Sequence, residues 1–311
     1  KQATEGRQMD RDQIREALTG PITSIRTPFT RESEIDYEGL RSTLDFNIEA
    51  GSKTMLMTAG DSHYIALSDA EIADISKAVV DHVSGRAMVV TADRFYHTRQ
   101  AVEFARYAKE IGSDLHMVLP PGWAASATPQ TLCEHYAQVA EHIPVMVVTG
   151  AFSAQGEGFG LDTLRLVRER VQNVAAIKDD MLGPFARKMT LLVKDEWAVF
   201  SGGQKQNHLD LHPYGCHGFM STFMSFKPEV THRYWSAIQS NDLDAASTVI
   251  REFDHPFFEL LMKSKGGFDA ALHGVFELFD IYERWRPAPY YNLNNEEMEV
   301  LKGELEYLKI L

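Results

Sequence analysis

Cysteine is nearly absent. Cys133 and Cys216 are the only two in 311 residues. That is too few for a disulfide framework; it excludes a small disulfide-stapled scaffold and points to a reducing, cytoplasmic setting. Long apolar runs are missing as well, none approaching the roughly 20 residues a membrane-spanning helix needs. Positive charge is in deficit, with 31 Lys and Arg against 44 Asp and Glu and a net charge of -13. No dense basic patch occurs, so binding to a nucleic-acid phosphate backbone is not expected. Low-complexity tracts are also lacking. The opening residues Lys1 to Asp10 are polar, do not resemble a signal peptide and are read as a tail.

What the chain has is a large apolar fraction, 44% of residues, arranged as a recurring strand–helix pattern. Short apolar stretches suited to buried strands occur at Pro21–Phe29, Thr54–Thr58, Ala87–Thr91, Leu115–Leu119, Val145–Thr149, Val174–Lys178, Ala198–Ser201 and Gly218–Thr222. Helical periodicity fills the gaps at Asp36–Ala50, Ser68–Val83, Thr98–Ile111, Pro129–His142, Leu161–Val171, Pro184–Val193, Lys205–Leu211 and Lys227–Ser240. Eight such units favour an α/β fold closed as a (β/α)8 barrel over an open doubly wound sheet. The expected organisation is a tail and short helix over 1–19, a barrel over 20–240, and a C-terminal helical extension over 241–311. The extension reads as helices at Asp242–Lys263, Gly267–Tyr282 and Glu296–Ile310. The Glu296-Glu-Met-Glu run suits the first turn of the last helix, where carboxylates complement the dipole. The stripe Phe253, Phe257, Phe258, Leu260 and Leu261 reads as helical core or subunit interface.

No dinucleotide fingerprint follows any strand. The nearest approach, Gly156-Glu-Gly-Phe-Gly160, has its third glycine at the wrong spacing and is read as a flexible loop. His208 and His212 stand at i, i+4, but Leu209 occupies the place where a zinc-hydrolase helix needs a glutamate, so a solvated face is expected and no metal site is assigned.

The chemistry of such a barrel belongs at the C-terminal ends of its strands. Those ends offer Arg26 and Thr27, Gly60 to His63, Asp93 and Arg94, Pro120 to Trp123, Thr149 to Ser153, Lys178 to Asp180, Gly202 to Gln204, and Ser221 to Phe223. Asn173-Val-Ala-Ala-Ile-Lys-Asp-Asp180 stands out as a strand apolar on both faces that ends in a lysine. A buried ammonium is costly unless it is paired or loses its proton. Two readings of Lys178 therefore stand at this level: a nucleophile for a carbonyl group, or a cation held by Asp179 or Asp180.

The chain resembles the dihydrodipicolinate synthase / N-acetylneuraminate lyase family of class I aldolases. The resemblance rests on Thr27-Pro-Phe29, Ala66-Leu-Ser68, Ala101-Val-Glu-Phe-Ala-Arg-Tyr-Ala108 with Gly112-Ser-Asp114, Ile177-Lys178-Asp179, Ser201-Gly202, and Gly215-Cys-His-Gly218 leading to Ser221. It implies a barrel with a C-terminal helical bundle, a Schiff-base lysine at Lys178, no external cofactor, a small carbonyl substrate (a 2-keto acid or keto-sugar acid), and a homotetramer. The departures are equally specific. Where members carry Gly-Thr-Thr-Gly-Glu, with the threonines on the substrate carboxylate, this chain has Ala59-Gly-Asp-Ser-His63. Where members place the tyrosine that moves protons, it has Val148, and the arginine of the same motif is Ser153. The tyrosine often found after the fourth strand is also missing from Leu119-Pro-Pro-Gly-Trp123, although sugar-acid dehydratases of the family share the Pro-Pro pair.

The expected site therefore has Lys178 as nucleophile, with His63 and Asp61 replacing the lost relay. Gly60, Arg26, Arg94, Thr149 and Ser221 are the candidate substrate contacts, and Trp123 is a candidate for the mouth. Alternative readings are a metal-assisted barrel enzyme using His63 and Asp61, and a non-catalytic barrel that binds a carbonyl compound or serves in assembly.

Overall fold

Eight parallel strands close into a barrel in chain order: β1 (Gly20–Ser24), β2 (Thr54–Leu56), β3 (Met88–Ala92), β4 (Leu115–Val118), β5 (Val145–Val148), β6 (Val174–Asp179), β7 (Ala198–Ser201) and β8 (Gly218–Met220), with β8 pairing back onto β1. This is seen in a computed structural model, which describes residues 9–122 and 124–311. The expected (β/α)8 barrel with its C-terminal helices is the fold observed. Trp123 and most of the N-terminal tail lie outside the described residues.

The strands form because most are short runs of apolar residues that can be covered on both faces, with β-branched residues richest in β3 and β5. All four residues of β5 and all six of β6 are buried. Each fully buried Val or Ile contributes about 1.5–3 kcal/mol relative to exposure. The helices begin where the sequence supplies caps. Asp36 accepts from the amides of Glu38 and Gly39, and Ser68 with Glu71 makes a capping box. Asn294 with Glu297 makes another, which places Glu296 and Glu297 in the first turn of the last helix as expected.

Most boundaries shift by a residue or two from expectation, and two larger differences stand out. β1 stops at Ser24 rather than running to Phe29. Its partner β2 is only three residues long, and the ladder ends where the Ile25 amide meets the Leu56 carbonyl. The glycine run at 156–160 is not a loop: helix Glu157–Arg170 starts inside it. Gly160 is there for packing, since a Cβ would lie 2.8 Å from the ring of Phe185 and 3.2 Å from Phe152 Cβ.

Beyond the barrel, helices Leu243–Val249, His255–Lys263, Gly267–Leu278 and Asn295–Tyr307 surround a second apolar core with Phe219, Phe223, Phe226, Phe257 and Leu261 at its centre. The aromatic stripe belongs to this core. A π-helical turn over Ile250–Asp254 joins the first two of these helices. No helix among the described residues is long and apolar enough to cross a membrane.

Candidate active site

Lys178 is the next-to-last residue of β6, with Val148 of β5 on one side in register and Phe200 of β7 on the other. Only 7% of it is exposed. Its Nζ lies beside Gly202, just past the end of β7, where a Cβ would stand 2.8 Å away, so the side chain ends at the barrel mouth. Nζ donates to both carboxylate oxygens of Asp180, one of them at 2.6 Å.

The turn after β6 is built to make that pairing. Asp179 alternates to the outer face of the strand and is fully buried. Its carboxylate accepts from the Thr149 hydroxyl at 2.9 Å and from the amides of Met181 and Leu182 at 3.2 Å each. Burial raises the Asp179 pKa, against the opposing effect of these donors. Thr149 Oγ1 also accepts from the amide of Asp180 at 2.8 Å. Chain reversal on this Thr149–Asp179 post swings Asp180 back over Lys178. Gly202, just past β7, leaves the room. A Cβ there would overlap an Asp180 carboxylate oxygen and lie 2.8 Å from Lys178 Nζ.

Across the mouth, Asp61 is held by Arg26. The guanidinium is buried and forks between Asp61 Oδ1 at 3.1 Å and Asp269 Oδ1 at 2.8 Å. Burial would raise the Asp61 pKa, but Arg26, a hydrogen bond from Ser24, Lys178 and His63 together hold it below its ordinary value. Asp61 is therefore ionised, and Arg26 is committed to two carboxylates.

The remaining candidates sit in varied surroundings. His63 adopts a left-handed backbone conformation (φ 55°) and is buried, and its Nε2 meets His273 Nε2 at 2.9 Å. It packs among Phe29, His273 and Tyr290, and no contact places it on Lys178. Burial, helped by Arg26, pushes its pKa down to about 4. Arg94 donates to the carbonyls of Tyr64 and Leu67 and pairs with Asp69 at 2.9 Å, so it braces the β2–helix loop and is not free for a substrate. Thr149 is fully buried and its oxygen is spent on the Asp179–Asp180 turn. Ser221 is buried and bonded to Thr231 at 2.7 Å. Gly60 is exposed, with open space where a side chain would stand. His208 is fully buried rather than solvated, with Nδ1 on the Tyr234 hydroxyl at 2.8 Å. Among the described residues, no three His, Cys, Asp or Glu side chains converge as metal ligands.

Asp269 and His273 were not anticipated. Both come from helix Gly267–Leu278 and fasten the C-terminal region to the barrel mouth. Their signal was available: two polar residues four apart, hence on one face of a strongly apolar helix.

The His63–His273 contact has a consequence for stability. A histidine whose folded pKa lies below its unfolded value contributes stability above about pH 6.5, lost as pH falls toward the folded value of about 4. His63→Gln keeps a donor for His273 but removes the titration. Urea unfolding at pH 7 and pH 4.5 should show the wild type losing up to about 3 kcal/mol more than the variant. Equal losses in the two proteins would refute this.

Comparisons with known proteins give the context. The profile described as "Dihydrodipicolinate synthetase family" matches residues 17–307. The chain is 28% identical over 261 residues to a 4-hydroxy-tetrahydrodipicolinate synthase from Psychrobacter arcticus, covering 81% of this chain and 84% of that protein. It is 26% identical over 249 residues to a probable 5-dehydro-4-deoxyglucarate dehydratase 2 from Streptomyces avermitilis, covering 79% and 72%. The crystal structure of dihydrodipicolinate synthase from Bacillus clausii superposes with a TM-score of 0.80 at 22% identity, covering 95% of this chain and 99% of that one, a likeness of fold. With a closed barrel, a lysine at the mouth end of its sixth strand and a profile match spanning nearly the whole chain, the protein belongs to the dihydrodipicolinate synthetase family of lyase- and aldolase-type enzymes.

Proposed function

We propose that the protein is a Schiff-base-forming lyase of the class I aldolase type, acting through Lys178 on a small carbonyl compound, a 2-keto acid or keto-sugar acid. The observation that carries this reading is Lys178 itself: nearly buried, at the C-terminal end of β6, ending at the barrel mouth and touching a carboxylate that can take its proton. The amine condenses with the carbonyl, and the iminium draws electrons from a neighbouring bond as it breaks. Either a C–C bond (aldol cleavage or addition) or a C–O bond (dehydration) suits this electron sink. Similarity to both a named synthase and a named dehydratase supports keeping the two bond types together.

Dihydrodipicolinate synthesis itself is disfavoured. An ionised Asp61 stands where the family's threonines receive a carboxylate, and Val148 stands where its tyrosine moves protons. The metal-assisted alternative is less well supported by the geometry, because Asp61 turns to Arg26 and His63 turns to His273 instead of converging. A cytoplasmic homotetramer, with the barrel over 20–240 and the helical region over 241–311, belongs to the same proposal.

The test is sodium borohydride inactivation in the presence of pyruvate, a keto-sugar acid or glycolaldehyde. Substrate-dependent, permanent inactivation that EDTA does not alter is the expected outcome. Activity that EDTA abolishes and borohydride leaves untouched would overturn the proposal in favour of metal assistance.

A further inference from the structure

Imine formation on Lys178 poses a proton problem that the family's usual tyrosine cannot solve here. Starting from an ammonium, the lysine carries three protons on Nζ; the iminium keeps one, and the other two leave in the water made from the carbonyl oxygen. Some group must carry two protons from nitrogen to oxygen. Beside Lys178 in register is Val148, which has no proton to move. His63 is engaged with His273, and Asp61 is engaged with Arg26.

We propose that Asp180 is the catalytic proton shuttle of Lys178, a role that rests on the Schiff-base reading above. Both of its oxygens contact Nζ. Nearly a third of its side chain (32%) is exposed, against 8% for Lys178, so the carboxylate lies on the open side of the amine, where a carbonyl compound would enter. Its position is fixed from two directions: its amide is tied to Thr149, and Gly202 supplies a gap that any side chain would close. An incidental surface ion pair requires neither a dedicated turn nor a missing Cβ.

The steps balance. Asp180 accepts the first proton from the Lys178 ammonium, and the freed lone pair forms the C–N bond as the carbonyl π pair moves onto oxygen. Asp180 returns that proton to the alkoxide, giving a hydroxyl on the carbinolamine. The nitrogen, now bonded to the substrate carbon and still carrying two protons, passes one of them to the carboxylate. Asp180 delivers it to the hydroxyl, which leaves as water while the nitrogen lone pair closes the C=N bond. The carboxylate is regenerated and the iminium bears one proton and one positive charge.

The alternative is that Asp180 merely pins Lys178 as an unreactive ammonium. The rate of adduct formation on the full-length protein separates the two, measured by intact mass with cyanoborohydride trapping and with pyruvate and glycolaldehyde as probes. Asp180→Asn should slow trapping by about 10²- to 10⁴-fold, the usual scale of general acid–base catalysis. Asp180→Glu should recover most of the rate. Added formate should accelerate Asp180→Ala and leave the wild type unchanged, a rescue that a purely structural role would not give. If Asp180→Asn does not fold, Asp180→Ala with formate carries the test alone. Trapping by Asp180→Asn as fast as the wild type or faster, or no formate rescue, would overturn the shuttle and leave the Schiff base standing. A folded wild type that traps neither these two probes nor a keto-sugar acid would overturn both.

Discussion

Lys178→Ala is expected to lose turnover by on the order of 10⁴- to 10⁶-fold, the scale on which removal of a covalent nucleophile is felt, while the barrel stays folded. The two halves of that expectation have separate causes. Activity goes because two other buried cations do not replace it: the Arg26 guanidinium is shared between Asp61 and Asp269, and Lys205 is sealed in the core. The fold survives because the partner left behind, Asp180, is 32% exposed and can hydrate. The loss of this pair should cost about 1 kcal/mol or less. Lys178→Arg should not rescue, since a guanidinium keeps its charge and is not a nucleophile at neutral pH. Steady-state kinetics with circular dichroism on the same samples checks both halves. Activity within tenfold of the wild type in a folded Lys178→Ala protein would mean that the lysine is a structural cation.

The largest effect on stability is expected at Lys205 and Asp254. These side chains are 0% and 2% exposed and meet at 2.7 Å, with the ammonium also 4.7 Å from the centre of the Phe223 ring. Lys205 lies in the helix after β7, and Asp254 ends the π-helical turn of the C-terminal region, so the pair ties the two apolar cores together. Burial pushes the lysine pKa down and the aspartate up, each opposed by the partner's charge. Removing one member strands the other in a dry site. Lys205→Met should therefore cost about 3–5 kcal/mol, and so should Asp254→Leu, whereas the double variant should recover much of the loss because neither charge remains to be solvated. Denaturant midpoints at pH 7 for the four proteins give the comparison. A single variant costing less than about 1 kcal/mol would show that the pair is not a clamp.

How much of this was legible in the sequence depends on how local each feature is. The eight strands could be read because each is a continuous apolar run bounded by turn residues, and the helices because their caps lie within three residues of their starts. Lys178 could be read because a lone lysine closing an apolar strand is a local anomaly. Asp180 was visible only as a possible salt-bridge partner; the turn that aims it depends on Thr149, 31 residues away. The contact made by His63 is hidden for the same reason. Its true partner, His273, is 210 residues along the chain, on a helix whose docking no periodicity reveals. Arg26 could be placed at a strand end, but its neutralisation by Asp269 required the C-terminal helix to be in position. Thr149 and Ser221 illustrate a further limit. Lying at a strand end puts a residue near the mouth, yet whether its hydroxyl faces the mouth or the surrounding helices is decided by the strand's final turn. The glycines of 156–160 were misread because the same residue serves flexibility and close packing, and only the ring of Phe185 distinguishes them.

The measurement that bears most directly on the chemistry is peptide mapping after borohydride reduction with pyruvate, keto-sugar acids and glycolaldehyde. A single reduced adduct on the peptide containing Lys178, at one per chain and absent from Lys178→Ala, is the predicted result. An adduct confined to other lysines, or no adduct from a folded protein across the whole panel, would contradict a Schiff-base enzyme.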